Sequence, residues 1–573
     1  MRIEQDIRYE PDERCPPAVS IGVGLQGVLL ILAPVVVNVA TVMRAGGQPE
    51  SYLTWAVFTA LLIGGTITAL QAVRLGRVGA GHVLITGPGP IFIAICIAAL
   101  VQGGPAMMAS LIVVSSLLQF AFSAWLPLLR RMITPVVSGT VIMLIAATVV
   151  PIALDLLDDV PQGAPVAAAP CVAGVTLLVA TALALRAAGP WRLWSPLIGI
   201  AAGCAAAAAF GLYDFQRVLD APWIGIPDVA WQGLNLTPGV EFWSLVPVFA
   251  TVTLVLTINT ISDGIVIQSA SRRSPRATDF RIVQGTLNAN GVGVLISGIA
   301  GTLPTMGYTA GSTALISLTG VAARSVGYCA GAIFMGLAFL PKLTAVLLII
   351  PGPVAGVYFM ILMAVLFVAG ARMVLQDGFD FRNATIAGLA FWIGVGVENQ
   401  SIFAGYLHGP WSAVFGHGMT VGALTAIVLT VFMELTNRPR RLEVELSVSA
   451  LPRIDAFLRS LGDGLRWNEA STERLCAAGE ETLSSLLQSG NGEEPRLLLV
   501  ARAQGRIVEM EYVAVSEEES IEDRLAYLSE QPETPEESEI SFRLLRHYAS
   551  SVRHRKYHGI DVVTVQVEGS RRE

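Results

Sequence analysis

The sequence predicts an all-α polytopic membrane protein of about fourteen spans, followed by a small cytoplasmic α+β domain. Three observations carry that prediction. The 573 residues are 53% hydrophobic and 14% charged, against about 25% charged in a soluble domain. The apolar residues gather in runs of roughly 20, the length that crosses a bilayer. Basic residues follow every second run, as cytoplasmic loops require. A net charge of −7 provides no basic field for nucleic acid. The six cysteines are scattered, without metal-ligand spacing. The opening MRIEQDIRYEPDERCPP is too polar for a signal peptide, so the first apolar run is expected to insert directly.

In chain order the spans read 19–43, 52–73, 83–100, 105–126, 133–156, 166–186, 191–213, 243–270, 286–303, 308–323, 325–348, 353–374, 383–404 and 413–435. The third and tenth are short and interrupted by Gly and Pro. Charge placement supports the count. Arg74 and Arg77 follow span two, Arg130 and Arg131 span four, and Arg186 and Arg192 span six. Arg272, Arg273, Arg276 and Arg281 follow span eight, Arg324 span ten, Arg372 and Arg382 span twelve, and Arg438, Arg440 and Arg441 span fourteen. The alternate loops hold only Arg44, Arg217 and Lys342. This pattern puts both termini in the cytoplasm and the chain in a cell (inner) membrane.

An internal repeat is visible. Span five holds Pro135-Val136-Val137-Ser138-Gly139 with Met143, and span twelve holds Pro353-Val354-Ala355-Gly356 with Met360. Leu126-Pro127 and Leu340-Pro341 precede them. The broken spans three and ten stand at the same offset of seven spans. An odd offset makes the copies cross in opposite senses, the inverted repeat of secondary transporters.

Span three reads GAGHVLITGPGPIFI (79–93) and span ten GTLPTMGYTAGSTA (301–314). Pro supplies no N–H, and Gly weakens helix interiors. Non-helical backbone at membrane depth persists only inside protein or along a cavity. The half-helices that follow aim N–H groups into that cavity. A planar polar solute would find donors and acceptors there, with Phe92, Tyr308 and Thr309 beside it.

GHVLITGPGPIFIAI, ITPVVSGTVIMLIA, APWIGIP, NANGVGVLISGIAGTLP and PKLTAVLLIIPGPVAGV resemble the nucleobase–ascorbate transporter family, the uracil/xanthine permeases. The resemblance covers roughly residues 17–436. It implies seven plus seven inverted spans, with short strands in spans three and ten. It also implies a core (spans 1–4 and 8–11) and a gate (spans 5–7 and 12–14). Members import xanthine, uracil or urate with a proton, or ascorbate with sodium, commonly as dimers. Partners expected here are therefore a small-molecule solute, membrane lipid, a proton or sodium, and a second copy of the chain. No enzyme activity, catalytic residue, metal or cofactor is expected.

Carried over by residue, the family's span-eight glutamate falls on Asn259, with Asp263 four residues later on the same helix face. Its aromatic position in span three falls on Pro90. Its span-ten Glu/Gln-Asn-x-Gly pattern appears as Gly311-Ser312-Thr313-Ala314. In span one, Gln26-Gly27 replaces the family's Gln-His. An amide hydrogen-bonds but cannot titrate, so Asp263 is the coupling candidate. A membrane-embedded carboxylate is costly unless functional or paired. His82 and Glu398 read as residues near span ends, and Lys342 as a snorkelling side chain.

The expected domains are a cytoplasmic segment (1–18), a transporter domain (19–436) and a cytoplasmic domain (437–573). In the last, 441–461 reads as a strand then an amphipathic helix, 471–488 as a helix, and 495–515 as a hairpin around Gln504-Gly505. Residues 516–539 read as an acidic loop, 540–551 as a helix, 553–556 as a solvated basic loop, and 560–567 as a strand. ERLCAAGEETLSSLL and the final segment resemble the histidine-kinase-like ATPase domain of anti-sigma-factor kinases. Ser485 replaces the magnesium-binding Asn expected after Glu481, and no Asp-x-Gly-x-Gly loop follows the hairpin. The resemblance thus implies a degenerate regulatory or dimerisation module. Two alternatives to nucleobase transport remain: a sulfate-permease-like anion carrier, and a solute sensor signalling through the tail.

Overall fold

The computed structural model describes residues 7–570 apart from 125–134, 162–163, 188–190, 192–193, 214, 229–230, 236–238, 274–277, 376–380, 400–417, 437–439, 490–495, 505–506, 516–544, 546 and 558–559. The chain divides into two units, Met1–Ser271 with Ile282–Val431, and Arg272–Arg281 with Phe432–Glu573.

The first unit opens with α1 (Pro17–Ala45) and α2 (Glu50–Ala72). Strand β1 (Thr86–Pro88) and a 3-10 turn (Pro90–Phe92) lead into α3 (Ile93–Ala124). There follow α4 (Pro135–Leu157), α5 (Ala168–Arg186), α6 (Ser195–Ala209) and α7 (Val240–Ala270). After α8 (Phe280–Ala300) come β3 (Thr305–Gly307), α9 (Thr309–Thr319), α10 (Arg324–Ala338) and α11 (Pro341–Leu348). The unit closes with α12 (Gly352–Val374), α13 (Phe381–Glu398) and α14 (Gly418–Thr436).

Among the described residues, 8 helices are long and apolar enough to cross a membrane, and α10 with α11, bent by 82°, makes a ninth if that pair is one span. The difference from fourteen has local causes. The third and fourth runs join as α3, broken where Gly104 (φ +73°) meets Pro105. Helices α6 and α9 have 15 and 11 residues.

The two helices that carry the repeated Pro-Val segments pack antiparallel, the glycine of each segment against the far half of the other helix. A Cβ at Gly139 would lie 2.5 Å from the Gly370 carbonyl, and one at Gly356 would lie 2.7 Å from the Ala153 carbonyl. Gly356 lies as far after Gly139 as Gly370 lies after Ala153. The two contacts are thus a single contact met twice, once from each repeat. The broken spans show the same symmetry: β1 pairs antiparallel with β3, as Thr86↔Gly307, Gly87↔Met306 and Pro88↔Thr305.

The second unit holds β4 (Arg440–Glu445), α15 (Leu451–Gly464), α16 (Glu469–Ser489), β5 (Arg496–Gln504), β6 (Ile507–Val515), β7 (Ser551–Tyr557) and β8 (Ile560–Glu568). Its sixth strand, β2 (Thr278–Asp279), comes from the connection between α7 and α8. The sheet order is β2-β7-β8-β6-β5-β4. Strand β2 runs parallel to β7, and the other neighbours are antiparallel. Apolar faces of α15 and α16 cover the sheet through Ile454, Leu458, Leu475 and Leu483, with Trp467, Tyr512 and Val565 in the same core. The expected first strand, the helices at Leu451–Gly464 and Glu469–Ser489 and the two hairpin strands are present. The helix expected at 540–551 falls in part outside the described residues, and Ser551 already belongs to β7. The basic run Arg553–Lys556 is a correction: it is strand β7 paired along β8, because ladder pairing outweighs the loop preference of a charged tetrapeptide. The acidic loop expected at 516–539 lies outside the described residues.

Candidate functional site

The broken spans build the site. A Cβ at Gly89 would lie 2.2 Å from Met306 Sδ, so any other residue here requires the Met306 side chain to move aside. The Gly89 N–H donates to the Pro304 carbonyl (3.1 Å), and the Tyr308 N–H to the Ile85 carbonyl (2.8 Å). Ser312 Oγ accepts from the Ile85 N–H at 3.0 Å and donates to the Tyr308 carbonyl at 3.0 Å. Ser312 thereby ties the start of α9 to the strand crossing. On the other side, Thr86 Oγ1 donates to the Gly64 carbonyl (3.1 Å), and the Thr86 N–H donates to Thr68 Oγ1 (3.0 Å). Span three thus spends its polar groups on α2.

Tyr308 caps α9 and turns its hydroxyl back to the Pro88 carbonyl, to which it donates at 2.7 Å. Asn38 of α1 joins them, its Nδ2 lying 3.3 Å from the Pro88 carbonyl and 3.4 Å from the Tyr308 hydroxyl. Asn38 is 1% exposed, and its Oδ1 has no partner among the described residues. The carboxylate of Asp263, on α7, approaches from outside the crossing. A Cβ at Gly307 would lie 3.1 Å from Asp263 Oδ2, and Thr309 stands beside the carboxylate. The Asp263 carboxyl therefore sits at the N-terminal end of α9, where the helix dipole favours negative charge. Together these groups present an amide acceptor, a carboxylate acceptor and a phenol at one junction.

The structure gathers Asp263, Tyr308, Thr309 and Ser312 at this junction. Pro90 and Phe92 are buried just beyond β1, with the Phe92 ring 6.3 Å from Phe249 of α7. Asn259 lies one turn before Asp263, half-buried, and makes no hydrogen bond among the described residues. Gly311 faces elsewhere: a Cβ there would meet Leu30 and Ile31 of α1 at 3.5 and 3.7 Å. Sequence reasoning missed Asn38 and the Thr68–Thr86 pair. A signal for Asn38 existed, since it is the lone amide in VVVNVATVM.

Three peripheral residues also find places. His82 is buried in protein, at 1% exposure, with Nδ1 2.9 Å from the Ala80 carbonyl. Glu398 is exposed but accepts from the Gly418 N–H at 2.7 Å, capping α14. Lys342 lies with its Nζ 4.8 Å from the Trp223 ring centroid. In the second unit, Ser485 is buried on α16 and Glu481 half-buried. Burial and a hydrogen bond to Asp455 push the Cys476 thiol up to about 12. Among the described residues, no group of three or more His, Cys, Asp or Glu side chains could hold a metal.

Comparison with known proteins places this junction in context. The model of a family described as "Permease family" matches residues 19–402. The xanthine permease XanP of Escherichia coli (strain K12) is 27% identical over 444 residues, covering 74% of this chain and 94% of its own. The uric acid permease PucK of Bacillus subtilis (strain 168) is 27% identical over 448 residues, covering 74% and 97%. Among solved structures, the transmembrane domain of the cyanobacterium bicarbonate transporter BicA aligns with 15% identity and a TM-score of 0.45, covering 72% of this chain and 97% of that one.

Proposed function

The chain belongs to this permease family and is a multi-pass inner-membrane transporter rather than an enzyme, and from that premise we propose that it carries a nucleobase-like solute of the xanthine, uracil or urate class. XanP and PucK are named for xanthine and uric acid, and the site chemistry suits that class. A purine or pyrimidine presents ring N–H donors and carbonyl acceptors in one plane. Asp263 and Asn38 Oδ1 are acceptors for the N–H groups, and the first N–H groups of α9 are donors for a carbonyl. Phe92 and Tyr308 supply aromatic surface beside it. The observation that carries this reading is the strand crossing, with Asp263 on one side of β3 and Asn38 with Tyr308 at Pro88.

The same reading covers the finer architecture. The chain has fourteen spans in two inverted sets of seven, both termini are cytoplasmic, and the solute sits between a core (spans 1–4 and 8–11) and a gate (spans 5–7 and 12–14). The transporter works as a homodimer. Asp263 exchanges the coupling proton, since Asn259 and Gly311 hold no titratable group where the family has its acidic or amide residues. The domain from residue 437 is a degenerate ATPase-like module that regulates transport without hydrolysing ATP. Uptake of labelled xanthine, uracil and urate, with and without a pH gradient, tests the reading in wild type and Asp263→Asn. Loss of gradient-driven uptake in the variant is expected. Unchanged proton-driven uptake would remove Asp263 from coupling, and absence of uptake of all three bases would remove the solute class.

A further inference from the structure

A cavity of about 510 Å³ lies between α1, α6 and α11, away from the strand crossing. Ala33, Ile200, Ala201, Cys204, Val346 and Ile350 represent its walls. The polar side chains in the lining, Cys204 and Tyr213, hydrogen-bond to each other. The walls are otherwise hydrocarbon, so the cavity suits an apolar occupant and not a nucleobase. Its size falls within the range of about 300–1,000 Å³ typical of ligand pockets. Val346 is 46% exposed, so the cavity opens on the outer apolar surface, where the surrounding solvent is lipid.

The rim carries a charge. Lys342 lies one helical turn before Val346 on the same face of α11, with its ammonium over the Trp223 ring. Trp223 and Ile224 are 73% and 77% exposed. An indole, a lysine and exposed aliphatic side chains together form the residue set of the lipid headgroup boundary. One turn of helix, about 5.4 Å, therefore separates a cationic rim at headgroup level from the mouth of a hydrocarbon-lined cavity.

We propose that this cavity takes one acyl chain of an anionic phospholipid, with the lipid phosphate on Lys342. The chain fills the space between α6 and the α1–α11 pair, and the phosphate pairs with the ammonium that already rests on Trp223. Thermal unfolding of the purified full chain tests this with three additions: phosphatidylglycerol, phosphatidylcholine and free glycerol phosphate. Phosphatidylglycerol is expected to raise Tm by about 3 °C or more, phosphatidylcholine by clearly less, and glycerol phosphate not at all. Lys342→Gln should reduce the phosphatidylglycerol shift to the phosphatidylcholine level, and Lys342→Arg should keep it. Ala201→Phe, which fills the cavity, should abolish both lipid shifts. Equal shifts from the two lipids, a shift from glycerol phosphate alone, or a phosphatidylglycerol shift that survives Ala201→Phe would each overturn the proposal. If Ala201→Phe does not fold, a variant keeping Cys204 as its single cysteine gives the answer with decyl methanethiosulfonate. Slower labelling under phosphatidylglycerol supports the site, and unchanged labelling overturns it.

Discussion

The two broken spans share a backbone plan and divide the chemistry unequally. In span three, every residue from Gly79 to Ile93 is buried, and Thr86 is committed to Thr68 and Gly64. In span ten, Met306, Tyr308, Thr309 and Gly311 are only half-buried, and Tyr308 and Ser312 reach across to the other strand. One copy has become a support and the other carries the polar face. Repeat symmetry fixes where the strands cross without fixing which strand meets the solute.

Five substitutions test that division, from the largest effect to the smallest. Gly89→Val should lower the yield of folded protein, because the Met306 side chain must be displaced to admit the branched side chain. Overpacking of this kind typically costs about 1–3 kcal/mol, and expression with size-exclusion chromatography reads it out. Asp263→Asn should lower gradient-driven uptake by about 100-fold, the scale of losing a buried charged partner, while leaving Tm near wild type. Tyr308→Phe and Thr86→Val form a matched pair, each removing one hydroxyl worth about 1 kcal/mol. The tyrosine change should raise KM several-fold, and the threonine change should lower Tm with KM unaltered. The comparison breaks if those two readouts exchange places. Gly311→Ala should change uptake by less than about twofold, since its Cβ would sit at ordinary contact distance from Leu30 and Ile31.

The breaks in spans three and ten were legible because Pro and Gly leave a physical trace, missing donors and weak helix interiors, whereas the paired strands at those breaks came from the family resemblance. The pairing of spans five and twelve was legible for a related reason, as Gly139 and Gly356 recur in matching contexts at close helix contacts. Asn38 was not legible as a site residue, because its role depends on α1 passing Pro88, a contact fifty residues away in sequence. The direction of Gly311 was equally hidden, since resemblance places a residue in a motif without saying which neighbour it faces. In the second unit, hydrophobic alternation announced β5, β6 and β8. Strand β7 carries Arg, His and Lys where alternation would put apolar residues, so only its partner β8 reveals it.

Strand β2 has a practical consequence for anyone dividing the gene. The sheet of the second unit draws its last strand, Thr278–Asp279, from the connection between α7 and α8. A fragment starting at residue 437 would uncover β7 at Arg555 and Lys556, lengthening the row of edge donors and acceptors open to another molecule. Such a fragment should self-associate, and a fusion restoring residues 272–281 beside β7 should return it to a monomer. The boundary suggested by composition is therefore the wrong place to cut.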